Sequence, residues 1–141
     1  MIILHCSATP DGCSLSFEDC RRDHIRHRHF RDIGYHFYIT RDGKIHNGRD
    51  MLKTGAHCQN HNAHSIGICY EGGLDARGHP QDTRTVEQKG AMLALLRELR
   101  KVFPTALIVG HHDLNPQKAC PCFNVYKEYH SIKGRYFFVS G

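Results

Sequence analysis

Apolar residues along this chain come in short runs whose spacing changes from segment to segment. Ile2-Ile3-Leu4 is an unbroken apolar run, which reads as a strand buried on both faces. Ser7-Ala8-Thr9-Pro10-Asp11-Gly12 is turn chemistry. Ser16 followed three residues later by Asp19 resembles a capping box. The helix it opens runs to about Arg28, with Phe17, Cys20 and His24 on one face and Arg21, Arg22, Arg26 and Arg28 on the others. Gly34–Thr40 is aromatic and β-branched and reads as a strand. Asp42-Gly43 then turns the chain into a return strand at Lys44–Asn47.

Residues 48–64, rich in Gly, Asn and His, read as loop, Ser65–Tyr70 as a strand and 71–83 as loop. Thr85 and Gln88 form a second capping box, after which Met92, Leu95, Leu96, Leu99 and Phe103 recur at helical spacing up to Pro104. Ala106–Val109 is a short buried strand, 111–122 a loop, Phe123–His130 a short helix and Tyr136–Val139 a last strand. Strands and helices mix without strict βαβ alternation. The expected class is α/β with mixed (α+β) character: a central mixed sheet of about five to six strands, flanked by helices. No repeat or linker divides the sequence, and its length suits one domain over 1–141.

Composition adds one surprise: 13 His and 7 Cys, 20 of 141 residues, are types that bind metals or carry proton and thiol chemistry. Cysteine is too sparse for a disulfide scaffold, and an odd number cannot pair completely within the chain. No 18-residue apolar run exists, so no membrane insertion is expected. Met1–His5 is no signal peptide, which points to synthesis in a reducing cytoplasm. A net charge of +5 admits anionic partners without choosing one. An Arg-rich helix without a recognisable module gives no ground for a nucleic-acid partner.

Three places can carry chemistry. His5 ends the first strand. Residues 110–122 follow a later strand and hold His111, His112, Asp113, Lys118, Cys120 and Cys122. A His and a Cys from this loop, with a His from a neighbouring strand, would make the three-ligand set of a catalytic zinc with one open position. The spacing alone leaves His111 or His112, and Cys120 or Cys122, open. Asp113 could hold one of these imidazoles as an outer carboxylate or simply form a turn. The third place is His57-Cys58-Gln59-Asn60-His61-Asn62-Ala63-His64, read mainly as loop lining a polar cleft. His36 is a further candidate for lining the cleft, with 62–65, although strand alternation would set it on the face opposite Tyr35.

The motifs Leu4-His5-Cys6-Ser7-Ala8-Thr9, Gly34-Tyr35-His36-Phe37, Arg41-Asp42-Gly43, Gly48-Arg49-Asp50, His64-Ser65-Ile66-Gly67-Ile68 and Lys118-Ala119-Cys120-Pro121 occur in this order. Together they resemble the zinc-dependent N-acetylmuramoyl-L-alanine amidases of the phage lysozyme and peptidoglycan-recognition-protein superfamily. The resemblance runs from about Ile2 to Phe123. It implies a zinc cofactor held by His5, His111 and Cys120, with Tyr35 and Lys118 as catalytic helpers. It implies hydrolysis of the amide between the lactyl group of N-acetylmuramic acid and L-alanine, with peptidoglycan as substrate. It further implies a monomeric, endolysin-like enzyme acting on the cell wall after release. A non-catalytic peptidoglycan-binding module is the alternative; such members of the superfamily typically lack the Cys ligand.

Overall fold

The computed structural model describes residues 1–132; the strand expected at Tyr136–Val139 lies outside them. The strands are β1 (Ile2–Cys6), β2 (Thr9–Pro10), β3 (Phe37–Ile39), β4 (Ile45–Asn47), β5 (Ile66–Tyr70), β6 (Gly73–Leu74) and β7 (Ile108–Gly110). The helices are α1 (Phe17–Arg26), α2 (Val86–Val102), α3 (His111–Leu114) and α4 (Val125–Tyr129). Five strands form the main sheet in the order β4-β3-β5-β1-β7. β1 is parallel to β5 and β7, β3 is parallel to β5, and β4 is antiparallel to β3. The expected mixed sheet is therefore present, with five strands among the described residues.

Burial explains why β1 and β5 are central. All five residues of each are buried, as continuous apolar runs in a covered parallel sheet should be. Ile2, Leu4, Ile66, Ile68 and Tyr70 pack with Met92, Leu96 and Leu99 of α2 and Val125 and Tyr129 of α4. On the opposite face Tyr38 and Cys69 pack with Cys20 of α1 and Ile33. His5 sits level with Cys69 in the β1–β5 register, so strand alternation directs it to this second face.

Both expected caps form. The Ser16 hydroxyl accepts the Asp19 N–H at 3.1 Å. Thr85 Oγ1 accepts the Gln88 N–H while Gln88 Oε1 accepts the Thr85 N–H, each at 3.0 Å. Arg84 has no exposed side-chain surface. It donates to the carboxylates of Asp82 and Glu128 and to the Tyr129 hydroxyl, and lies 3.4 Å over the Phe123 ring. This network ties α4 to the segment entering α2.

Four local expectations are corrected. α1 stops at Arg26, where the His27 N–H closes on Asp23 O. Only Phe37–Ile39 of the expected 34–40 strand is regular, because the Gly34 and Tyr35 carbonyls accept from Ala56 and Arg49 N–H in the following loop. Thr9–Pro10, expected as turn, pairs in parallel with Gly73–Leu74, expected as loop. His111 opens a helical turn rather than a loop, with Asp113 Oδ2 accepting the Gly110 N–H at 2.8 Å.

Candidate active site

Parallel neighbours end at the same edge of a sheet, and ligand sites in such sheets gather beyond their carboxyl ends. In β1 and β7, Leu4 is level with Gly110. The next residues are His5 and His111, 106 positions apart in sequence but with ring centroids 4.7 Å apart. Cys120 joins them from the loop after α3, its Sγ accepting the Cys6 backbone N–H at 3.1 Å. One potential ligand atom from each of His5, His111 and Cys120 lies within 4.8 Å of the others. Among the described residues no other trio of His, Cys, Asp or Glu is so arranged.

The donors suit a metal. Burial, then the neighbouring His57 and His111, holds the His5 imidazole well below its usual protonation range. Burial, then the Lys118 charge, lowers that of His111. Both rings are thereby kept neutral, the form that ligates. Two imidazoles and a sulfur are donors that zinc takes in tetrahedral geometry, where neighbouring ligands lie roughly 3.3–3.7 Å apart.

His57, which the sequence placed only as cleft lining, supports this group from behind. Its Nδ1 lies 2.8 Å from His5 Nε2, and its Nε2 lies 3.2 Å from the Ser65 hydroxyl. Ser65 donates its own proton to His61 O at 2.6 Å, so it accepts from His57 Nε2. His57 Nδ1 must then accept from His5 Nε2–H. The chain of bonds leaves His5 Nδ1 as the free lone pair, the kind of outer interaction that fixes a ligand's tautomer. Burial first, then His36, His111 and Arg49, lowers the His57 pKa to about 3 and keeps it neutral.

Tyr35 and Lys118 both border the cleft of about 770 Å³ that opens over the trio. Tyr35 is positioned by α1 and the loop after β4. His24 Nδ1 accepts the Gly34 N–H at 2.9 Å, and its ring packs 5.4 Å from that of Tyr35. Burial, then the thiols of Cys69, Cys120 and Cys20, pushes the Tyr35 phenol well above its usual range. Gly34 is required here, since a Cβ would fall 2.0 Å from Ala56 O.

The other candidates lie apart from the trio. His112 donates its backbone N–H to Cys120 O at 2.8 Å, and its ring packs over Gly110. Asp113 caps α3 and stands 3.7 Å from His112 Nε2, so it does not hold His111. His36 is buried outside the cleft, accepting from Gly67 N–H and bonding Lys53 O; it shares with Tyr35 the side of the sheet that carries His57, because the backbone before Phe37 is not regular strand and the expected alternation fails there. His61 and Asn62 border the cleft, whereas His64 lies outside it. Arg28 and Phe30 reach the cleft from the end of α1, a contribution that helical spacing did not single out.

The sequence matches the family described as N-acetylmuramoyl-L-alanine amidase (Amidase_2) over residues 1–123. It is 41% identical over 122 residues to the endolysin of Enterobacteria phage K11, covering 86% of this chain and 80% of the phage protein. The structure is similar to the endolysin N-acetylmuramoyl-L-alanine amidase LysCS of Clostridium intestinale, with a TM-score of 0.75 and 26% identity, covering 92% of this chain and 82% of that one. It is also similar to Drosophila PGRP-LB, with a TM-score of 0.73 and 28% identity over 92% of this chain and 78% of that one. The family match runs unbroken from β1 to the loop bearing Cys120, and the chain belongs to the N-acetylmuramoyl-L-alanine amidase family.

Proposed function

We propose that this amidase is zinc-dependent and hydrolyses the amide between the lactyl group of N-acetylmuramic acid and L-alanine in bacterial peptidoglycan. The observation that carries this reading is the convergence of His5, His111 and Cys120 at the floor of the cleft. Those three side chains would hold the ion, which when bound supplies Lewis acidity to an amide carbonyl and makes water more acidic.

The chain's own groups do the rest. The Cys6 N–H steadies the Cys120 sulfur, and His57 fixes the orientation of His5. Tyr35 keeps its proton at neutral pH and donates a hydrogen bond to the substrate or to the attacking water. Lys118, exposed at the cleft border, places positive charge where the carbonyl oxygen becomes an oxyanion. The phage relatives support an endolysin-like role, with the enzyme meeting the wall after release from the producing cell.

The test is to incubate the zinc-loaded protein with purified peptidoglycan and identify soluble products by mass spectrometry. Free peptides beginning with L-alanine are expected, and Cys120→Ala is expected to lose both bound zinc and peptide release. Reducing sugars in place of peptides would indicate a glycosidase. Wall binding without release would indicate a binding module.

A further inference from the structure

Cys6 and Cys122 are outside the trio, yet they are the residues that frame it. Cys6 follows His5 at the end of β1, and Cys122 lies two residues beyond Cys120. Their Sγ atoms are 3.9 Å apart across 116 residues of sequence. Cys122 holds a left-handed backbone (φ 72°) that a non-glycine residue seldom adopts. Cys6 is fixed in the central strand, its sulfur walled by Gly73, where a Cβ would fall 2.5 Å away. Closing the gap to a disulfide length of ~2.05 Å therefore falls to the Cys122 loop.

We propose that Cys6 and Cys122 form a disulfide under oxidising conditions, fastening the loop that bears Cys120 to the strand that bears His5. With oxidised glutathione as oxidant, the half-buried Cys122 thiolate attacks the glutathione disulfide, giving a mixed disulfide and one glutathione. The buried Cys6 thiol then attacks the Cys122 sulfur, forming the protein S–S bond and expelling a second glutathione. Two electrons and both thiol protons pass to the two glutathiones. The exchange is read at equilibrium. The pairing needs only this geometry; its physiological setting, an oxidising space outside the cytoplasm, rests on the proposed wall activity.

The experiment equilibrates the zinc-loaded full chain in glutathione buffers of rising oxidised fraction, quenches exchange with acid, unfolds the chain with a chelator present, alkylates free thiols and maps peptides by mass spectrometry. Two of the seven thiols should become protected, in one cross-link joining the peptides of Cys6 and Cys122. The melting temperature should rise by roughly 5–10 °C. Cys122→Ser and Cys6→Ala should each abolish the cross-link and the shift. Seven alkylatable thiols at every buffer ratio, or a link through Cys120 instead, would overturn the proposal. Peptide release from peptidoglycan by reduced Cys122→Ser reports on the amidase reading separately, since Cys122 is outside the cleft and the trio.

Discussion

The contact between His57 and His5 can be strained from the sheet beneath it. His57 lies flat against Gly67 of β5, and a Cβ at Gly67 would fall 2.6–2.8 Å from three atoms of the His57 ring. Ordinary contact begins at 3.4 Å, so in Gly67→Ala the ring must retreat by about 0.8 Å. Because the ring lies flat on Gly67, that retreat runs along its normal, across the in-plane bond of 2.8 Å between His57 Nδ1 and His5 Nε2; it lengthens the bond only to about 2.9 Å but tilts it by about 15°, which weakens it. Overpacking costs about 1–3 kcal/mol, and the tilted bond adds only a fraction of the about 1 kcal/mol that a hydrogen bond contributes. Gly67→Ala should thus lose about 1–3 kcal/mol in urea unfolding. It should also release peptide more slowly, by up to about tenfold, because His5 is held less firmly in its orientation. His57→Ala removes the colliding ring. The double variant should therefore be no less stable than His57→Ala alone, a coupling as large as the Gly67→Ala cost itself, about 1–3 kcal/mol. Costs that add to within about 0.5 kcal/mol would refute the collision and with it the link from β5 to His5.

Three further outcomes follow from the same geometry. Lys118→Met should lower kcat by about 10²–10³-fold, the range for losing one oxyanion-stabilising group, with bound zinc unchanged; a change under threefold would remove Lys118 from the reaction. Tyr35→Phe should likewise lower kcat while leaving zinc content and melting temperature near those of the parent. Stability should fall with acid in two stages, read as urea midpoints against pH. Burial depresses the His24 and His36 pKa values, so their unfolded forms take protons first and stability declines as the pH drops below about 6.5. Hydrogen bonding to Arg84 lowers the Glu128 carboxyl, and for Asp82 the Arg84 contacts outweigh the opposing effect of burial. Their contribution is complete above about pH 4.5 and is lost as the pH falls through their folded values. Arg84→Gln should cost about 2–3 kcal/mol near neutrality, below the fully buried range because both carboxylates keep water contact. It should erase the lower stage and leave the upper one.

Much of this was legible in the sequence, and the limits have identifiable causes. Apolar runs and capping boxes gave β1, β5 and α2 because each of those signals is local. The pairing of β2 with β6 was hidden because a two-residue strand has no periodicity. The motif resemblance named His5, His111 and Cys120, and they converge, but spacing alone could not choose His111 over His112. That choice depends on the register that sets Leu4 beside Gly110, which belongs to the topology. The role of His57 was out of reach for the same reason: it requires a bare Gly67 on a neighbouring strand and a Ser65 hydroxyl already committed to His61 O.

The histidine excess takes on a physical sense from this face of the sheet. The face covered by α2 is apolar, whereas the other carries His5 and lies beneath His24, His36 and His57. A neutral imidazole has one donor and one acceptor on opposite edges of a rigid ring, so it can join two partners without bringing a charge. His36 does this between Gly67 N–H and Lys53 O, His57 between His5 and Ser65, and His24 pins the Gly34 N–H that sets Tyr35. A carboxylate in any of these positions could not donate and would bring a negative charge into the buried layer. Burial depresses all three pKa values and so maintains the neutral state on which these bonds depend. The same physics that keeps His5 and His111 ready to ligate a metal thus recruits unligated histidines as the frame around them.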